Sequence, residues 1–427
     1  MESNKLLDFK ELIYKIIDNK IIILHINNEI FENISDENFN KFLNALKLNK
    51  SLKTLKFKNA SLSQENFEKL CDVIRYNKNI TNLYITSKSK IFNCINSKYS
   101  NIINFYNSLT KLNNESIKCK ELYKFNSYID FMYNNLLEDI LNNNMSSVFN
   151  MLINNKFLTK ITLDIDNFKL FSKVLCKNNS INYLNLRIAL DKDYNNYNYI
   201  VDVLNNNKNI KAISIFLCVK NMTFYNDFLN FCKIIETNQT LKKIKIGCVK
   251  KGYNMNDKIN DIPILFFNSL IKNKTINYIK FNHGGIISDD IVFDYNIFIN
   301  LLENNNVIDT LYLDWFEKDN NSINFNKFLE YLQFNKTLKR LQLSYVNEEI
   351  NTKLLALIIK NNKTLEYLNV SKFNVSNLDL FFEYLKENTT LKCLDLSNIK
   401  IPFIKENINE VLQFNKNIEI IYKKKEN

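Results

Sequence analysis

One nine-residue pattern recurs along this chain and limits the folds that it can adopt. It reads NKTLEYLNV from Asn362 and NTTLKCLDL from Asn388, with asparagine first and aliphatic residues at the fourth, seventh and ninth places. In the second half of the chain the copies follow at intervals of 23 to 35 residues. Such a period indicates an array of stacked units, each in contact with its neighbours. The other copies begin at Asn49, Asn77, Asn155, Asn178, Asn207, Asn238, Asn273, Asn305 and Asn335, with a weaker one at Asp18 and a truncated one at Asn415.

A helix is predicted before each asparagine and a strand after it. Apolar residues fall three, six, seven and ten places before the asparagine, the spacing of a helix with one buried face. Before Asn335 these are Leu332, Leu329, Phe328 and Phe325. Apolar residues six and eight places after the asparagine alternate as in a strand with one buried face. A helix of about ten residues is marginal alone, so each unit must be stabilised by the next.

The asparagine itself is predicted to end each helix in the left-handed conformation. Glycine adopts this conformation most readily at a helix end, and asparagine comes next. The whole chain has four glycines, so asparagine is expected to take their place.

The repeated pattern resembles a known family. LKCLDLSNIKI at 391–401 is similar to the L-x-x-L-x-L-x-x-N-x-I consensus of leucine-rich repeats, of the long, ribonuclease-inhibitor-like class. The resemblance covers 18–86 and 155–427. It implies an α/β fold, a curved horseshoe solenoid with parallel strands on the concave face and helices on the convex face. It also implies protein–protein recognition. The family's asparagine or cysteine at the ninth place is mostly missing, as at Ala60 and Phe316, so the turn geometry is not predicted.

Five segments are predicted. Residues 1–17 form an N-terminal capping helix, 18–86 and 155–414 form the repeats, and 415–427 form a C-terminal cap strand and polar tail. Residues 87–154 contain no clean copy of the pattern but do contain helical apolar stretches. They are either a helical insertion or degenerate repeats that continue the array.

Motifs that carry chemistry are absent from the sequence. The chain has no C-x-x-C pair, two histidines far apart, and no glycine-rich phosphate loop or nucleophile elbow. We therefore predict no enzyme activity, no catalytic residue, no metal and no cofactor. Cys71, Cys176 and Cys232 fall on the packed faces of predicted helices, so core packing is their expected role.

The N-terminal stretch MESNKLLDFKELIYK lacks the apolar core of a signal peptide, and no apolar run reaches the ~18 residues of a membrane span. A monomeric, cytoplasmic protein with no membrane partner is therefore expected.

Two ladders of outward side chains are predicted on the strand face away from the helices, because equivalent residues of parallel strands stack. The first is Thr54, Asn82, Lys160, Tyr183, Ala212, Lys243, Tyr278, Thr310, Arg340, Tyr367 and Cys393. The second is Lys56, Tyr84, Thr162, Asn185, Ser214, Lys245, Lys280, Tyr312, Gln342, Asn369 and Asp395.

One part of these ladders is a candidate binding surface, since tyrosine and arginine are enriched at binding hot spots. Tyrosine and lysine also suit exposed strands generally, which is the alternative explanation. The candidate residues are Lys243, Lys245, Tyr278, Lys280, Tyr312, Arg340 and Tyr367, with Trp315 at the strand exit.

Three functions remain open at this point. The first is a non-catalytic scaffold that binds another protein, one with an acidic surface, on the concave strand face. The second is nucleic-acid binding by the same strip, because the net charge is +12 and aromatic side chains stack on bases. The third, a regulator or inhibitor of an enzyme, is a subclass of the first, and no residue separates the two.

Overall fold

The structure is a computed structural model, and it describes residues 2–27, 31, 34–57, 62, 64–86, 147–164, 168–187, 196–219, 223–250, 261–284, 295–316, 322–346, 351–371, 378–397, 399 and 404–422. The predicted segment 87–154 lies outside these residues except for its last eight, which form a helix.

Helices and strands alternate along the described chain, as the repeat pattern predicts. The helices are α1 (Glu2–Ile17), α2 (Asp36–Leu48), α3 (Gln64–Tyr76), α4 (Ser147–Asn154), α5 (Lys169–Lys177), α6 (Asn196–Asn206), α7 (Thr223–Thr237), α8 (Asp261–Lys272), α9 (Asn296–Asn304), α10 (Ser322–Leu332), α11 (Thr352–Asn361), α12 (Asp379–Glu387) and α13 (Ile404–Phe414). The strands are β1 (Ile23–Ile26), β2 (Thr54–Phe57), β3 (Asn82–Thr86), β4 (Lys160–Asp164), β5 (Tyr183–Arg187), β6 (Ala212–Val219), β7 (Lys243–Lys250), β8 (Tyr278–Gly284), β9 (Thr310–Phe316), β10 (Arg340–Val346), β11 (Tyr367–Asn369), β12 (Cys393–Asp395) and β13 (Glu419–Ile421).

The chain divides into two compact units. The first comprises Met1–Arg187 with Asn206–Asn209, and the second comprises Ile188–Asn205 with Ile210–Asn427. In the first unit β1 to β5 pair in chain order, and every described pairing is parallel. In the second unit β6 to β13 do the same. A connection that contains a helix joins each strand to the next. The predicted α/β solenoid with parallel strands is confirmed.

Each unit has a continuous apolar core between its strands and its helices. In β2, Leu55 and Phe57 are buried while Thr54 and Lys56 are half-buried, the predicted alternation. Contacts between aromatic rings connect the core of one repeat to the core of the next. The ring of Phe267 on α8 lies 5.3 Å from that of Phe281 on β8 and 4.9 Å from that of Phe298 on α9. Burial of such rings is the main stabilising term for repeats this short.

The first asparagine of the repeat does not adopt the predicted left-handed conformation at the positions whose dihedral angles are known. At Asn49, Asn178, Asn305, Asn362 and Asn388, φ lies between −127° and −66° with ψ between 113° and 133°. These values are those of extended backbone. The prediction of a left-handed helix end is therefore wrong at these positions.

The left-handed conformation occurs at one described non-glycine residue, Asn19, where φ is 57°. There the backbone N–H of Lys20 donates to Lys15 O and that of Asn19 donates to Ile16 O. This is a Schellman arrangement at the C-terminal end of α1. It closes α1 only.

The side chains of the repeated asparagines instead join successive repeats. Asn305 Nδ2 donates to Leu270 O at 2.7 Å and to Asn273 O at 2.8 Å. Asn305 Oδ1 accepts the backbone N–H of Val307 at 2.8 Å and of Ile308 at 3.2 Å. One buried amide thus satisfies a carbonyl at the end of the preceding helix and closes its own turn.

This arrangement, the asparagine ladder, recurs in both units, and from Asn77 onward the acceptor is the carbonyl three residues before the preceding ladder position. In the first unit the pairs are Asn49–Ile16, Asn77–Leu46, Asn155–Ile74, Asn178–Leu152 and Asn207–Leu175. In the second they are Asn238–Leu204, Asn273–Ile235, Asn305–Leu270, Asn362–Leu332, Asn388–Ile359 and Asn415–Leu385. Asn335 differs, since its Nδ2 donates to Tyr331 Oη at 3.3 Å.

Candidate partner-binding surface

Strand register brings the predicted outward residues of the second unit into two columns. In the first column Lys243, Tyr278, Thr310, Arg340 and Tyr367 are successive partners. In the second column the successive partners are Lys245, Lys280, Tyr312, Gln342 and Asn369. Seven of the eight candidate residues therefore share one face of β7 to β11. We call these seven the strand-face cluster: Lys243, Lys245, Tyr278, Lys280, Tyr312, Arg340 and Tyr367.

Three tyrosine rings cross the strands within this cluster. The ring of Tyr278 lies 5.3 Å from that of Tyr312 in an edge-to-face arrangement. The ring of Tyr312 lies 6.0 Å from that of Tyr367. Both separations are typical of favourable aromatic pairs. Thr310, which lies between Tyr278 and Arg340 in the first column, is buried.

Cations lie against both ends of this row of rings. Lys243 Nζ and Lys245 Nζ are 5.6 and 5.7 Å from the centre of the Tyr278 ring. At the other end Arg340 Cζ is 4.5 Å from the centre of the Tyr367 ring. These distances are those of cation–π interactions.

Arg340 connects two of the tyrosines. Its Nε–H donates to Tyr312 Oη at 3.2 Å while its guanidinium lies over Tyr367. The hydrogen bond to Tyr312 raises the pKa of Arg340 above its ordinary value, and burial raises the pKa of Tyr367. At neutral pH the guanidinium is therefore charged and the Tyr367 hydroxyl is neutral.

The charge of this surface changes along the second unit. The ten outward positions of β7 to β11 in the two columns hold four cations, three tyrosines and no carboxylate. The next two strands place Asp395 and Glu419 on the same face. Asn369 lies at the boundary between the cationic and acidic positions. Its Nδ2 donates to Asp395 Oδ2 at 2.9 Å and to Tyr367 Oη at 3.4 Å. The cationic surface thus ends at β11.

Trp315, the eighth candidate residue, lies in β9, and its side chain falls outside the described part of the chain. Its role in binding stays a prediction. Sequence reasoning did not predict the Arg340–Tyr312 hydrogen bond, which joins residues in different columns of adjacent strands. The prediction pairs only residues at equivalent positions of neighbouring strands. The long side chain of Arg340 instead reaches a tyrosine in the other column.

Potential metal ligands and cysteine thiols occur among the described residues. No three of their His, Cys, Asp or Glu side chains come together as a metal site would require. Cys71 and Cys232 are buried, as predicted, while Cys176 is half-buried. Burial raises the pKa of the Cys232 thiol to about 12, so this thiol stays protonated at neutral pH. A protonated thiol is a poor nucleophile.

Comparison with known proteins gives distant structural likenesses. No protein-family model matches the chain, and no curated protein matches it in sequence. Among solved structures it is similar to actin-binding site 2 of leiomodin-1, with 16% identity over 46% of this chain and 86% of that one and a TM-score of 0.26. It is also similar to TLR13 in complex with ssRNA13, with 13% identity over 84% of this chain and 41% of that one. The Toll–Spatzle complex of Drosophila matches with 9% identity over 88% of this chain and 36% of that one, and both TM-scores are 0.37.

The three similar structures are leucine-rich-repeat proteins, and this chain spans about two fifths or less of the matched TLR13 and Toll chains. The fold assignment rests on the parallel strand register and the helix order above. The ribonuclease-inhibitor-like class stays a prediction. No helix in the described ranges is both long enough and apolar enough to span a lipid bilayer.

Proposed function

We propose that the protein is a non-catalytic scaffold that binds an acidic segment of a partner protein on the strand-face cluster. The observation that carries this proposal is the composition of the two columns on β7 to β11, whose ten positions hold four cations and three tyrosines and no carboxylate. Tyrosine and arginine supply much of the binding energy at protein interfaces. A partner that is itself an enzyme, regulated by this contact, falls within the proposal.

Strand spacing gives the size of the acidic segment. Neighbouring strands lie about 4.8 Å apart, so Lys243 on β7 and Arg340 on β10 are separated by roughly 14 Å across the sheet. An extended peptide rises about 3.3 Å per residue. The bound segment therefore carries acidic residues roughly four positions apart, with apolar or small residues between them over Tyr278 and Tyr312.

Charge reversal on the cluster tests this proposal. A variant with Lys245→Glu, Lys280→Glu and Arg340→Glu is compared with one carrying Lys327→Glu, Lys353→Glu and Lys405→Glu. The control lysines are exposed on α10, α11 and α13, so both variants change the net charge equally. We expect the strand-face variant to lose its partner in affinity purification followed by mass spectrometry, and the helix variant to keep it. Equal capture by both variants would contradict the proposal.

Nucleic-acid binding is the second candidate, because tyrosines beside lysines also suit single strands. It is less favoured, because the ring of Tyr367 already lies under Arg340 and the ring of Tyr278 lies near two lysines. A base that stacks on either ring would have to displace these cations. Binding of a single-stranded oligonucleotide is measured over a series of salt concentrations. Affinity that falls steeply with salt and is lost in the strand-face variant alone would favour this candidate.

We also propose that the scaffold is a monomer of the cytoplasm. Cys71, Cys176, Cys232 and Cys393 are free thiols, as is usual in a reducing compartment. Light scattering on the purified chain is expected to give the monomer mass of 50.7 kDa. A dimer mass would contradict the monomeric state.

A further inference from the structure

Large apolar side chains are exposed at one edge of the first unit, where its helices end and its strands begin. Eleven large hydrophobic residues are exposed in the described part of the chain, and six of them lie between residues 14 and 76. Leu48 and Tyr76 are 69% and 68% exposed, each immediately before a ladder asparagine. Tyr14 and Ile17 are exposed in the last turn of α1, and Ile22 is exposed directly before β1. Single exposed hydrophobic residues are ordinary, but a local group of them is not.

Hydrogen bonds join neighbouring positions of this group from one repeat to the next. Asn49, which follows Leu48, donates through Nδ2 to Ile16 O, next to Ile17. The backbone N–H of Lys53 donates to Ile22 O at 2.9 Å. The next repeat continues the edge, since Asn79 Nδ2 donates to Asn49 O at 3.2 Å. We call this group, Tyr14, Ile17, Ile22, Leu48 and Tyr76, the apolar edge.

Lysines surround the apolar edge. Lys47, Lys50, Lys53 and Lys78 are exposed beside it and make no ion pair within the described ranges of the chain. Lys20 lies 5.8 Å from the centre of the Tyr14 ring and pairs with Asp18. The apolar side chains therefore stand within a cationic rim.

We propose that the apolar edge is a docking site for an anionic lipid surface. Exposed large hydrophobic residues flanked by lysines are the composition of segments that lie in a bilayer interface, where the apolar groups enter the acyl boundary and the lysines meet lipid phosphates. This site lies outside the strand-face cluster and does not depend on the proposed function. It differs from the sequence-based expectation that no membrane is involved.

Vesicle co-sedimentation tests the proposal with the full-length chain. Vesicles of phosphatidylcholine alone are compared with vesicles that also contain phosphatidylserine. We expect binding only to the second kind. The substitutions Leu48→Ser and Tyr76→Ser together should weaken binding by at least about a hundredfold, since both side chains leave water on docking. Lys47→Gln, Lys50→Gln, Lys53→Gln and Lys78→Gln should each weaken it about fivefold.

Matched controls come from the second unit. Lys233→Gln, Lys327→Gln, Lys353→Gln and Lys405→Gln remove the same charge from exposed helix positions, and Phe334→Ser removes a side chain that is 70% exposed. The controls and the strand-face charge-reversal variant should bind vesicles as the unmodified chain does. Failure of the unmodified chain to bind anionic vesicles would overturn the proposal. Equal weakening by the edge and control lysine variants would also overturn it, because the binding would then follow net charge.

Insertion of the apolar edge into the bilayer is measured separately by tryptophan fluorescence. In a Trp315→Phe background, Tyr76→Trp should give a blue-shifted emission with anionic vesicles and be quenched by brominated lipid, whereas Phe334→Trp should show neither change. Quenching at position 334 without quenching at position 76 would place the docking surface elsewhere and overturn the assignment.

Discussion

At the scale of single residues, the ladder asparagine uses both the N–H donor and the carbonyl acceptor of its amide side chain. It donates to the carbonyl of one repeat and accepts from the N–H groups of its own turn, as at Asn305. A glycine in the same place would satisfy neither set of groups. The scarcity of glycine in this chain therefore does not explain the asparagine, and its hydrogen bonds do.

Asn305→Ala should lower the free energy of unfolding by roughly 2–4 kcal/mol, because two turn N–H groups and two carbonyls lose buried partners. Asn304→Ala is the control one residue away. That side chain is exposed and bonds only within α9, so its loss should change stability by less than about 0.5 kcal/mol. Urea unfolding of both variants measures the difference, and similar midpoints would contradict this role for the ladder.

Cys232 gives a prediction for alkaline pH. Burial raises the pKa of its thiol from 9.0 to about 12. Between these values the unfolded chain loses the thiol proton and the folded chain keeps it, so the free energy of unfolding falls as pH rises above about 9. The fall contributed by this thiol is at most about 1.4 kcal/mol per pH unit. Urea midpoints at mildly and strongly alkaline pH should therefore drop more for the unmodified protein than for Cys232→Ala, and parallel curves would refute the assignment.

At the scale of elements, each helix is short and is held by the rings that it places against its neighbours. Phe267 is fully buried and contacts rings on β8 and α9. Phe267→Ala should lower the free energy of unfolding by about 3–5 kcal/mol. Phe334→Ala removes the same ring from an exposed position and should have almost no effect. Urea unfolding compares the two, and a small effect at Phe267 would mean that ring packing does not hold the repeats together.

Most elements and the outward ladders could be predicted from the sequence, because period 3.6 before each asparagine and period two after it are strong signals. The conformation of the asparagine could not. Asparagine both tolerates the left-handed region and forms side-chain hydrogen bonds with backbone, and only the position of the preceding repeat decides between them. The sequence did not predict the apolar edge. Leu48 and Tyr76 come directly after the buried apolar positions of their helices, and their exposure depends on where each helix ends.

At the scale of the whole molecule, stability is expected to depend on keeping whole repeats, because each repeat is stabilised by contact with its neighbours. Deleting residues 362–387 removes one period, so that Asn388 follows Asn361 and takes the place of Asn362 in the asparagine ladder. This variant should stay folded with reduced stability. Deleting residues 362–374 removes half a period and should abolish cooperative unfolding. Circular dichroism during urea unfolding distinguishes them, and equal stability of the two deletions would contradict a phased array.

The central functional claim is that a partner protein binds the strand face of the second unit. The most direct measurement is site-specific photocrosslinking in the native cell, with p-benzoylphenylalanine at Tyr312 in the strand-face cluster or at Tyr384 on α12. Position 312 should give a discrete crosslinked protein, with an acidic segment at the crosslinked site, and position 384 should not. Crosslinking of that protein at position 384 but not at 312 would contradict the claim.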